Sequence, residues 1–289
     1  MPHHVLIVTT STGTAGKDGP ETGFDWVSVA APYWRLHESG ARVRFASPAG
    51  GKPPGDPATA SEPGTERRAE GDRAGSVDMF LGDDAAVQGL ARSLSAAEAA
   101  ELEWDGILLA DGLGGLWDLA QSQALTALLA AAWERGAVLA AIGAGTAALA
   151  SVRVGGGSIT SGRRMTCLPD AVIEALLGPG VAPVQPETRL RAQGAQLWIA
   201  ERGAEPAVLE DGRLITGQDA RASAEVALQM LEALDVYAFD AGRRAEPAEA
   251  VEAEEEEPGP AEAAPGDAHV ADGAEEGTDP ADTPGARTP

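Results

Sequence analysis

The side chains in this sequence best suited to covalent chemistry are few: one thiol, Cys167, and four imidazoles, at His3, His4, His37 and His269. A cysteine acts as a nucleophile only when a base or a positive field lowers its pKa. No motif places any of the histidines beside Cys167. Its neighbours Met165 and Leu168 are those of a buried thiol, which is commonly inert. A single cysteine also excludes an intramolecular disulfide and a cysteine-rich zinc site. The His3-His4 pair has no evident third ligand, so no metal is expected.

Two glycine turns are more informative. In AVLAAIGAGTAALAS (137–151) an apolar run meets Gly143-Ala144-Gly145 and then a run of small residues with helical character. Such a turn either cradles a pyrophosphate on backbone N–H groups or forms an elbow that presents a nucleophile. A dinucleotide site needs a full-length helix after the turn, then an acid about 20 residues on for the ribose. Here the helical pattern lasts about two turns before VRVGGG interrupts it, and the later region carries Arg163 and Arg164. No cofactor is therefore expected. A second turn, ADGLGGLWDLA (110–120), also follows an apolar run, so both turns belong at the carboxyl edge of one sheet. Asp25, Ser28 and Asp111 are candidates for a polar lining there, with helix capping and solvation as the simpler role. Asp118 is read as the cap of the helix that follows it.

The elements that must position these turns follow from periodicity. Short Val/Ile/Leu-rich runs at His4–Thr10, Arg42–Ser47, Gly106–Ala110 and Ala137–Ile142 have the composition of buried parallel strands. Between the first two, Val27, Ala30, Ala31 and Trp34 share a helical face and Gly40 supplies a stop; between the last two, Leu125, Leu128, Leu129 and Ala132 do the same before Gly136. This rhythm predicts an α/β fold with a mainly parallel sheet. Residues 49–76, rich in Gly, Pro and charge, are expected to form a long excursion, and a helical stretch is expected from Asp83 to Leu102. VRVGGGSITSGRRMTCL predicts a hairpin turning at GGG. AQLWIA and AVLEDGRLITG add β pieces before a last helix with Ala227, Met230, Leu231 and Leu234 on one face. The six tryptophans, Trp26, Trp34 and Trp117 among them, are expected in the core or in dimer contacts.

The 289 residues carry a formal charge of −24. Ala245 to Pro289 holds fourteen acidic residues and one arginine, −13 of that total. This segment lacks aromatic residues and is expected to be a disordered, solubilising tail (240–289) behind a folded domain (1–239). The acidity argues against nucleic acid and anionic membranes as partners. The apolar start is too short for a secretory signal and no run is long enough to span a bilayer, so a cytoplasmic location is expected.

Four separated motifs, TGFDWVSVAAPYWRLHESGARVRFASPAGGKPPGDP, WDGILLADGLGGLWDL, GAVLAAIGAGTAAL and DGRLITGQDARAS, occur in an order that resembles the class I glutamine amidotransferase-like superfamily of PfpI-type proteins, the DJ-one/PfpI group. The likeness runs from about His4 to Leu234. More narrowly it is to the branch of heat-shock protein thirty-one chaperones and glutathione-independent glyoxalase III enzymes. The resemblance implies a flavodoxin-like three-layer sandwich, often dimeric, with its site at the elbow after Ile142. It also implies an elbow Cys followed by a His, which fall on Gly143 and Ala144 here. The family's helix Glu falls on Ser28. The His of its P-G-G-H-G turn falls on Leu113, in A-D-G-L-G. Its third acid has only Asp170 nearby. Glycine has no side chain to attack with, yet it takes the positive φ of an elbow without steric cost. The amides of Ala144 and of Gly112 or Leu113 remain to receive a small anionic or carbonyl ligand. The expectation is a catalytically degenerate family member with a pocket at Ser28, Gly112, Leu113, Gly143 and Ala144. It would act by binding a ligand or, chaperone-like, client proteins. The alternative is a glyoxalase III (methylglyoxal to lactate) or deglycase-like enzyme with a rearranged site.

Overall fold

A computed structural model describes residues 2–60, 75–201 and 204–245, apart from the side chains of 238–245. In chain order the first elements are β1 (His4–Val8), α1 (Trp26–Glu38), β2 (Arg42–Ser47), α2 (Ser76–Gly82), α3 (Asp84–Ala91), β3 (Leu94–Ser95) and α4 (Ala96–Ala100). The middle of the chain supplies β4 (Gly106–Leu109), α5 (Gly115–Asp118), α6 (Gln123–Arg135), β5 (Val138–Ile142) and a 3-10 helix over Gly143–Ser151. Then come β6 (Arg153–Val154), β7 (Gly157–Ser158), β8 (Arg164–Met165), α7 (Asp170–Leu177), α8 (Pro186–Ala192), β9 (Gln196–Leu197), β10 (Val208–Asp211), β11 (Leu214–Gly217) and α9 (Ser223–Ala245).

Seven strands form one sheet in the order β10-β11-β5-β4-β1-β2-β3, parallel throughout except for β10. The central strands β1, β4 and β5 are buried along almost their whole length, which is why they read as continuous apolar runs. Alternate residues feed two cores. Leu6, Val8, Ile107 and Leu109 pack with Leu125, Leu128 and Leu129 of α6, while Val5, Ile7 and Leu108 pack with Val29, Leu36, Met230 and Leu234 of α1 and α9. Helices thus cover both faces, giving the three-layer α/β sandwich that the strand rhythm predicts. Strand order reverses between β1 and β4, the place where open sheets leave a crevice at their carboxyl ends.

Local signals account for most boundaries. The Asp25 carboxylate caps α1 through the amides of Val27 and Ser28, Ser122 caps α6, and Gly136 ends α6 at φ 99°. Four expectations change. The stretch 83–102 is not one helix: Ser95 and Glu98 form a capping box that restarts the chain as α4 after the short strand β3. Of the expected α1 face, Ala30 and Ala31 are buried while Val27 and Trp34 are half-buried, and Val29, Tyr33 and Leu36 join the core, where Phe80 of α2 meets Tyr33 edge-on. Helix α2 itself lies at the end of the expected excursion. The excursion's first part, 51–60, pairs back onto the chain through Phe24 and Gly55, while 61–74 lies outside the described residues. Finally, α9 continues past Phe239 to Ala245; the expected acidic tail from 246 onward is outside the described residues. The hairpin at 153–158 forms as expected. No helix among the described residues is long and apolar enough to cross a membrane.

Candidate functional site at the strand ends

Strands β4 and β5 run side by side, with Leu109 opposite Ala141, so the two glycine turns leave the sheet together. Gly143 sits at the turn from β5 into the 3-10 helix at φ 53°, and Gly112 follows β4 at φ 136°. Both conformations favour glycine. At Gly112 an added Cβ would run into the backbone of Gly23 and Phe24. The turn is closed locally by Thr146, whose hydroxyl donates to the Gly143 carbonyl at 2.6 Å.

The amides of Ala144 and Gly112 do converge, and what they converge on is the chain's own carboxylate. Asp111 Oδ1 accepts from Ala144 N and from Gly112 N, each at 2.7 Å. The carboxyl group lies where a Cβ on Gly143 would be built, so this side chain fills the space an elbow side chain would take. The Asp111 backbone is pinned from α1: its carbonyl accepts from Asp25 N at 2.9 Å and from the Ser28 hydroxyl at 3.2 Å. Ser28 is fully buried, and its hydroxyl also lies 2.7 Å from the Asp25 carbonyl, so it braces the strand end.

The buried Asp111 carboxyl group and the half-buried Asp25 carboxyl group are near enough to repel one another. Burial pushes Asp111 up to about 7, the Asp25 charge pushes in the same direction, and the two amide bonds oppose both. Asp25 rises to about 6, chiefly by burial, against the pull of the Ser28 and Val27 amides. Asp219 adds a smaller repulsion to each. A ligand arriving here meets a carboxyl oxygen rather than two open N–H groups.

The remaining sequence candidates divide. Leu113 packs with Leu116, Ala144, Leu168 and Ile173, an apolar contact. Asp170 accepts from the amides of Glu187 and Thr188 and so joins α7 to α8. Asp118 does not cap the following helix. It accepts from the Thr10 hydroxyl and the Ser11 amide, fastening the loop after β1, because the α6 cap has passed to Ser122. His3 bonds Asp235 and His37 stacks on Tyr33; among the described residues no cluster of ligating side chains suits a metal ion. Trp104 and Trp133 are buried, whereas Trp198 is 58% exposed. Asp111 was legible as a polar lining. Its occupation of the amides was not, although the aspartate in A-D-G-L-G, where the resembled turn has glycine, marks the position.

The residue after Cys167 meets the elbow in space, since the amide of Leu168 donates to the Gly143 carbonyl at 3.4 Å. The Cys167 side chain is fully buried with Met165 and Leu190, and burial, reinforced by Glu187 and Asp170, pushes the thiol far above its ordinary range. Ellman's reagent is expected to leave Cys167 unmodified in the folded protein over hours and to titrate one thiol in denaturant. Rapid labelling of the native protein would refute this burial.

A mainly parallel, helix-flanked sheet with a tight strand-to-helix turn after a central strand defines a class I glutamine amidotransferase-like α/β domain. More particularly, the chain belongs to the DJ-1/PfpI family, which it matches over residues 21–233. Among solved structures it is similar to the Rapid Encystment Protein 24 KDa (REP24) of Francisella tularensis, at 25% identity and a TM-score of 0.71 over 81% of this chain and 99% of that one. Glyoxalase III of Candida albicans shares the fold at 20% identity and a TM-score of 0.68, over 80% and 97% of the two chains. DJ-1beta of Drosophila melanogaster does so at 18% and 0.51, over 83% and 98%. The sequence finds no match among curated proteins.

Proposed function

We propose that this protein is a catalytically degenerate member of the DJ-1/PfpI family that acts by binding rather than by elbow-thiol chemistry. One observation carries the reading: Gly143 offers no side chain, and the Asp111 carboxylate fills that space and accepts both neighbouring amides. A thiolate addition needs a nucleophile and open donors for the developing oxyanion, and here one is absent and the others are taken. The bound species are a small anionic or carbonyl compound at the elbow, or client proteins. A homodimer, as the family resemblance implies, and a cytoplasmic location are part of this proposal.

The second reading is a glyoxalase III-like or deglycase-like enzyme with a rearranged site, in keeping with the fold shared with the Candida enzyme. It would need Cys167, the one thiol, and the burial of that side chain weighs against it. Incubation with methylglyoxal is expected to yield no lactate above the buffer rate, while an aggregating denatured client should scatter less light in the protein's presence. Lactate formation lost in Cys167→Ala would overturn the binding reading in favour of the enzyme.

A further inference from the structure

We propose that Asp111 is an internal carboxylate ligand that keeps the elbow closed to external oxyanions, and that removing this one side chain unmasks a site for small carboxylates. The inference rests on the reading of the elbow as a binding site, and it names the occupant.

The cradle is built by tertiary structure. Its two donors come from turns 32 residues apart in sequence, at Gly112 and Ala144, and reach one oxygen with bonds of 2.7 Å each, the length of charge-assisted hydrogen bonds. Two glycines at positive φ, Gly112 and Gly143, set the direction of those N–H groups. The occupant is 8% exposed and is held from behind by the Asp25 amide and the Ser28 hydroxyl on its carbonyl. The second oxygen, Oδ2, accepts no hydrogen bond from the described residues, so the carboxylate is bound through one oxygen, as a small monocarboxylate would be. Space and donors are both complete for one carboxyl group, and the chain supplies it.

The side-chain exchange is reciprocal. Where the resembled pattern has a glycine before the second strand-end glycine, this chain has Asp111; where it has the elbow cysteine, this chain has Gly143. The added Cβ at Gly143 would land on the Asp111 carboxyl group, so only one of the two positions can carry a side chain in this arrangement. An acid at 111 therefore substitutes for the missing elbow side chain in filling the space, and it quenches the two amides as it does so.

The test uses the full chain, its Asp111→Gly and Asp111→Asn variants, and acetate as the probe. In amide-resolved NMR, acetate is expected to shift Gly112 and Ala144 saturably in Asp111→Gly. The wild type and Asp111→Asn, whose Oδ1 still accepts, should bind at least about tenfold more weakly. Equal responses in wild type and Asp111→Gly, or a folded Asp111→Gly that ignores acetate, would overturn the proposal. Should Asp111→Gly fail to fold, Asp111→Ala takes its place in the same acetate titration, and a folded Asp111→Ala that ignores acetate overturns the proposal. Lactate formation from methylglyoxal would remove the binding reading of the protein without touching this result, so the two failures are distinguishable.

Discussion

Placing a cysteine at the elbow by Gly143→Cys is expected to destabilise the protein by roughly 3 kcal/mol and to produce no methylglyoxal turnover. The cost has two sources. The residue sits at φ 53°, where a side chain is strained by about 1 kcal/mol, and the new Cβ collides with the Asp111 carboxyl group. That group cannot move aside freely, because a short side chain with two amide bonds must leave the cradle and strand both donors. The double variant Gly143→Cys/Asp111→Gly removes the collision and should recover about 2 kcal/mol of the loss. Urea unfolding of the four proteins gives the coupling directly, with equal denaturant slopes required for the comparison. Additive single effects would mean that the two positions do not compete for one space. A new thiol with a low pKa in the double variant would show that the turn still favours a thiolate.

Stability is expected to fall as pH rises from about 4 to about 7, and Asp111→Asn should flatten that fall. The sign follows from linkage. Asp111 at about 7 and Asp25 at about 6 both lie above an ordinary aspartate, so between the unfolded and folded values the native state holds protons that the unfolded chain has released. Raising the pH strips those protons and favours unfolding, at up to about 1.4 kcal/mol per pH unit for each proton of difference. Asp118 contributes in the same direction through burial, whereas Asp211 is lowered, chiefly by the Arg164 amide, and stabilises above its ordinary range. Asparagine keeps the acceptor oxygen without the charge, so the difference between wild type and Asp111→Asn isolates one carboxyl group. Urea midpoints at pH 5 and pH 8 test it, and parallel slopes for the two proteins would show that Asp111 does not titrate in this window.

The sequence by itself determined the elements whose causes are local. Short Val/Ile/Leu-rich runs between helical patterns have the composition of buried parallel strands, and β1, β2, β4 and β5 lie where those runs lie. The Asp25 cap and the Gly136 stop involve partners within four residues, so their signals survive in the bare chain. The absence of a side chain at Gly143 is likewise a fact of sequence. Tertiary structure alone decided what depends on residues distant along the chain. Val29, Tyr33 and Leu36 of α1 entered a core that they share with Phe80, more than forty residues on, which packs edge-on against Tyr33. Asp118 left its expected role for a bond to Thr10 on another strand end. The elbow's open amides became a closed pair because the register of β4 beside β5 puts Ala144 N within 2.7 Å of Asp111 Oδ1. No local propensity encodes such a meeting; it exists only once two strands are side by side, and it turns an expected oxyanion cradle into one already filled.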